Sequence, residues 1–119
     1  MTQTFDEMLQ KIATNVSTGM QKLARAMSDS SQDLERTKHI LKELLMNCKF
    51  AVRASKSDPG LLPLVEVIDV WVELHDKVAY ATKAEVFAQA KNVVKALREA
   101  TLKVLPNSSA LSVYDSIVY

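Results

Sequence analysis

Glycine and proline are scarce, two and three respectively in 119 residues. That leaves too few turn formers for a small β-sandwich or barrel. Cys48 is the sole cysteine. It forbids an intrachain disulfide and a multi-cysteine zinc cluster, and it fits a reducing, cytoplasmic setting. Neither sign of charge is in excess: fifteen Lys and Arg against fourteen Asp and Glu give a net charge of +1. A histone-like polycation is thereby excluded, whereas a local basic face is not. Long apolar runs are missing too. The longest stretch without Asp, Glu, Lys or Arg runs from Val104 to Tyr114, and a spanning helix takes roughly 20 apolar residues, so no transmembrane segment is expected. Near the start, Asp6 and Glu7 precede the first lysine, the wrong polarity for a secretory signal.

What is present is helical periodicity. Thr4-Phe5-Asp6-Glu7 reads as a capping box, in which a threonine hydroxyl accepts from the first free amides. Phe5, Met8, Leu9, Ile12, Val16, Met20, Leu23 and Met27 follow at steps of three and four, one stripe of an amphipathic helix. Ser28-Asp29-Ser30-Ser31 ends it, since short polar side chains compete for backbone hydrogen bonds and can cap a following helix. A second helix is expected from about Gln32 to about Ser55, seamed by Leu34, Leu41, Leu44, Leu45, Cys48 and Val52. Asp58-Pro59-Gly60 stops it. Pro63 suits the first turn of a third helix, where its missing amide costs nothing. The β-branched run from Val65 to Val72 also has the composition of a strand, but a lone strand has nothing to pair with, so a helix is predicted. Thr82-Lys83-Ala84-Glu85 is a second capping box and opens a helix carrying Val86, Phe87, Ala90, Val93, Val94, Leu97 and Val104. The expected fold is an all-α antiparallel bundle of about four helices within residues 1–105, followed by a tail at 106–119.

Catalytic chemistry is thin. Gly19 and Gly60 are isolated, so no glycine-rich loop cradles phosphate. The two histidines lack the Glu-x-x-His spacing of carboxylate-bridged metal helices. His39 and Cys48, nine residues apart, fall on opposite faces of one helix, and Cys48 lies in the apolar seam as a structural residue. No enzyme activity, metal or cofactor is expected. Met20, Met27 and Met46 read as gap-filling side chains of the seams.

The charges are more informative. Lys38, Lys42, Lys49, Arg53 and Lys56 fall within roughly 60° of arc on the second helix, along about 27 Å of its length. The first helix adds Lys11, Lys22 and Arg25 away from its apolar stripe, with no acid between Met8 and Met27. Thr14, Asn15 and Thr18 share its polar side. Such an array, without an aromatic platform, suits a phosphate backbone better than stacked single-stranded bases. The third helix carries the opposite stripe, Glu66, Asp69, Glu73 and Asp76. The two stripes therefore either face each other or each faces solvent or a partner.

Met8-Leu9-Gln10 with Ile12 and Val16, then Asp33-Leu34, Asn47-Cys48-Lys49, Val52-Arg53-Ala54-Ser55 and Leu61-Leu62-Pro63 give the first half a family likeness. Over about residues 8–65 the chain resembles the small RNA-silencing suppressors of insect nodaviruses. Asp58-Pro59-Gly60 stands as an insertion against that pattern, and the helix from Thr82 has no counterpart in it. The resemblance implies a helical homodimer binding double-stranded RNA, with Lys49 and Arg53, then Lys42 and Lys56, on the RNA backbone. The expected function is a non-enzymatic double-stranded RNA binder using Lys38, Lys42, Lys49, Arg53 and Lys56, with Lys11 and Lys22 extending the footprint. The alternative is a helical adaptor or assembly subunit, working through apolar surface at Val65, Val70 and Val72.

Overall fold

The computed structural model describes residues 4–53 and 59–117. Five helices follow in order: α1 (Phe5–Ser28), α2 (Leu34–Arg53), α3 (Leu62–Lys77), α4 (Lys83–Val104) and α5 (Ala110–Asp115). A short 3-10 turn, Pro59–Leu61, leads into α3. No strand occurs among the described residues, and the helices pack as a bundle about 43 × 27 × 24 Å. The run Val65–Val72 is helical, as its lack of a pairing partner requires.

Local signals set the boundaries. The Thr4 hydroxyl accepts from the Glu7 amide (3.1 Å) and opens α1. At α2 the cap is Asp33, whose carboxylate accepts from the Arg36 amide at 2.8 Å. The serines before it instead form a turn on Asp29, which accepts from both the amide and the hydroxyl of Ser31. Thr82 opens α4 by accepting from the Glu85 amide, and Glu85 reaches back to the amide of Ala81. The predicted α2 terminus near Ser55 lies outside the described residues.

α1 and α2 form the central hairpin, burying Leu9, Ile12, Val16, Met20 and Leu23 against Leu41, Leu44, Leu45 and Cys48. Their separation is set at Gly19. A β-carbon there would sit 2.6–2.9 Å from three side-chain carbons of the buried Leu44, closer than nonbonded carbons approach. α3 and α4 complete the core with Leu64, Ile68, Val86, Ala90, Val93 and Leu97.

Two long-range clasps close the bundle. Lys83, in the first turn of α4, donates to the carbonyls of Ala26 (2.7 Å), Gln32 (2.8 Å) and Asp29 (3.1 Å). One cation thus satisfies the free carbonyl end of α1 and the turn after it. The segment 106–119 carries α5, which packs on α1 and α4 with Ala110 and Tyr114 buried. Asp6 on α1 accepts from the Ser108 hydroxyl (2.6 Å) and the Ser109 amide (3.0 Å), and also from the Ser109 hydroxyl. These bonds hold its carboxyl below its ordinary value of 3.8.

Three outcomes follow from this packing. Gly19→Ala, despite the better helix propensity of alanine, destabilises the fold by about 1–2 kcal/mol through overpacking, read from urea unfolding by circular dichroism. Lys83→Met costs about 1–3 kcal/mol and speeds amide exchange at residues 26–33, because three carbonyls lose a charged donor. Because the Asp6 carboxyl is depressed in the folded state, its contribution is complete above about pH 4. It is lost as pH falls through the folded value. Protection of the amides at 110–117, referenced to the intrinsic exchange rate at each pH, therefore falls in acid, and Asp6→Asn shows the lower protection already at neutral pH.

Candidate nucleic-acid interface

α2 carries charges along two edges, and the neighbouring helices treat them differently. The edge predicted from sequence meets α3. Lys42 pairs with Asp76, and Lys49 lies 3.6 Å from Asp69. Lys38 pairs with Glu35 one turn back on its own helix at 3.2 Å. Asp69 and Asp76 of the acidic stripe thus supply the partners, and the carboxyl of Asp76 is held down by its bond from Lys42. Arg53 is exposed, without an ion pair among the described residues, beside a shallow depression formed with Lys49, Val52, Val65, Ile68 and Asp69. Lys56 lies outside the described residues.

The other edge of α2 runs beside α1 and forms a second basic surface. On α1, Lys11, Asn15, Thr18, Lys22 and Arg25 step by four, three, four and three, so they share one face over about 21 Å. Opposite them, Arg36, Ile40, Glu43 and Asn47 descend α2 with the same steps in the reverse direction. Two shallow grooves record the register. One is lined by Asn15, Thr18 and Lys22 with Ile40, Glu43 and Asn47. Its continuation runs from Lys22, Arg25 and Asp29 to Gln32, Arg36 and Glu43. Gly19 makes this surface by letting the helices close over Leu44. Lys11, Lys22, Arg25 and Arg36 are exposed, and none makes an ion pair among the described residues. Two acids stand within the face, Asp29, which accepts from Ser31, and Glu43, which lies 3.3 Å from the His39 ring.

Sequence reasoning picked out Lys11 and Lys22, and noted Arg25, Asn15 and Thr18 beside them. It missed Arg36 and Asn47. The signal for those two was the mirrored three-and-four spacing of the helices, which marks which α2 positions flank α1 once the hairpin is antiparallel.

The remaining reactive groups are built into the fold. Cys48 is sealed in the core, and burial pushes its thiol up to about 12, leaving it unreactive as a nucleophile. The Tyr114 hydroxyl lies against Thr101, whose own hydroxyl donates to the Leu97 carbonyl, and burial raises it as well. The His75 ring nitrogen Nδ1 is 3.0 Å from the Tyr80 hydroxyl. Burial first, then the nearby Lys42 charge, lower its proton affinity, so the ring is neutral at pH 7. No group of three or more His, Cys, Asp or Glu able to hold a metal occurs among the described residues. Compared with protein-family models, with curated proteins and with solved structures, the chain gives no match.

Proposed function

We propose that this protein is a non-enzymatic double-stranded RNA-binding protein that shields the duplex by laying its α1–α2 face across the sugar-phosphate backbone. The observation that carries the reading is the run of exposed cations on that face, Lys11, Lys22, Arg25 and Arg36, without intramolecular partners among the described residues. A cation already held by a carboxylate gains little from a phosphate, because one pairing replaces another. An unpaired cation releases the counterions of the phosphate it neutralises, and that release drives binding.

The polar residues among these cations favour RNA. A-form RNA presents a wide, shallow minor groove lined with 2′-hydroxyls, recognised by spaced hydrogen-bonding groups together with phosphate contacts. Asn15, Thr18 and Asn47 supply such groups between the charges. A two-helix face is also broad, suited to lying across a surface rather than entering a groove. Lys38, Lys42, Lys49 and Arg53 border the adjoining edge and extend the footprint, with Lys42 and Lys49 exchanging an α3 carboxylate for a phosphate. A cytoplasmic setting and the pairing of two copies, both in keeping with the resemblance to the nodaviral suppressors, complete the reading.

In a mobility-shift titration with a duplex RNA of about 20 base pairs, binding is expected to exceed that of single-stranded RNA and of duplex DNA. Engaging four phosphates, it should weaken roughly a hundredfold between 50 and 200 mM salt. Lys22→Ala, Arg25→Ala and Arg36→Ala should each weaken binding and reduce the salt slope by about one, more than Lys42→Ala or Lys49→Ala does. Absence of a shift at low salt, or affinity indifferent to salt, would overturn the proposal. Equal losses at Lys42 and Lys49 would move the interface to the α2–α3 edge.

A further inference from the structure

A second surface shares no residue with the α1–α2 face. Between the first half of α3 and the last turns of α4 runs an open groove of about 360 Å³. Val67, Trp71, Ala96 and Ala100 line it together with Pro63 and Val70. The α3 contributors Pro63, Val67 and Val70, and then Leu74, step by four, three and four. That is the spacing of a seam that packs against another helix. The seam is uncovered, for Val70 is 60% exposed and Leu74 is exposed as well. Of the three valines expected to form an apolar interface, Val70 faces out, whereas Val65 and Val72 are half-buried against the core.

The charges around the groove decide what fits it. Glu66 and Glu99 stand on its rim with Lys103, and neither glutamate makes a salt bridge among the described residues. Beyond them, Glu73 is already paired with Lys77. A second copy is a poor occupant. Antiparallel pairing of two α3 helices about Val70 sets the Glu66 and Glu73 flanks side by side, acid against acid, which disfavours association. We infer that the α3–α4 groove is a docking site for an amphipathic helix of another protein, one whose apolar stripe is flanked by lysine or arginine. Leucine-sized anchors of that helix fill the space beside Val67, Val70 and Trp71, and its flanking cations meet Glu66 and Glu99. The seam from the half-buried Pro63 and Val67 to the exposed Val70 and Leu74 is about 16 Å long, enough for three turns of a partner helix.

Trp71 is the only tryptophan in the chain and lines the groove, so its fluorescence reports occupancy directly. The probe is a synthetic helical peptide of about 14 residues, with leucines at alternating steps of three and four and lysines on both flanks. A matched peptide carries glutamates in place of the lysines. The lysine peptide is expected to shift Trp71 emission to the blue saturably, at least about tenfold more tightly than the glutamate peptide. Val70→Asp should weaken it by about tenfold or more, and the double variant Glu66→Lys with Glu99→Lys should reverse the preference between peptides. Because these side chains are exposed, the variants should keep the parent thermal melt. Equal affinity for both peptides, or unchanged affinity in Val70→Asp, would overturn the inference. So would a protein sedimenting as a dimer that Val70→Asp dissociates, since a second copy would then be the occupant.

Discussion

The distance between α1 and α2 is the constraint on which the other packing decisions depend. At most helix crossings two side chains meet and hold the axes about 8–10 Å apart. At Gly19 there is no side chain on one partner, and Leu44 occupies the space where a β-carbon would project. No side chain of α1 holds the helices apart there, and the residues flanking the contact on the outer side, Asn15, Thr18 and Lys22 against Ile40, Glu43 and Asn47, line one surface. A wider crossing would leave two separate helices with a cleft between them, and the charges of α1 and α2 would no longer act on the same stretch of a ligand.

Charge is sorted on this scaffold by which helix neighbours which. α3 brings acids to one edge of α2 and ties down Lys42 and Lys49. α1 brings none to the other edge, so its cations stand beside those of α2 without an ion pair among the described residues, although Asp29 and Glu43 lie in the same grooves. A net charge of +1 therefore conceals an uneven distribution, with pairs in the α2–α3 seam and unpaired cations on the hairpin face. Exposed ion pairs of the kind seen between α2 and α3 add little stability. Their larger effect is to choose which lysines remain available.

Much of this was legible in the residues. The capping threonines Thr4 and Thr82 and the apolar stripes of α1, α2 and α4 located those helices, because caps and period are local properties of the chain. The opening of α2 was less clear, since Asp33 competes with several nearby serines and geometry alone decides which side-chain oxygen reaches an orphan amide. α5 was not legible as a helix, for six residues are too few to display a period, and its seat is created by Asp6 about a hundred residues earlier. The basic stripe on α2 was visible in the spacing, as was the acidic stripe on α3. Which of them faced the other was not, because facing is a tertiary relation. Arg36 lies beside the turn of a hairpin whose register follows from Gly19, a residue with no charge to draw attention.

The bonds from Ser108 and Ser109 to Asp6 join the two most widely separated parts of the described chain. On a ribosome, where residues emerge one after another, α1 is exposed long before the segment that covers it. The site that will receive Ala110 and Tyr114 stays open through the synthesis of α2, α3 and α4, and that part of the core is covered only once α5 has emerged. Chains that stall before Ser108 therefore present an apolar gap beside α1 and α4, the kind of transiently exposed surface that makes partly formed folds prone to aggregate.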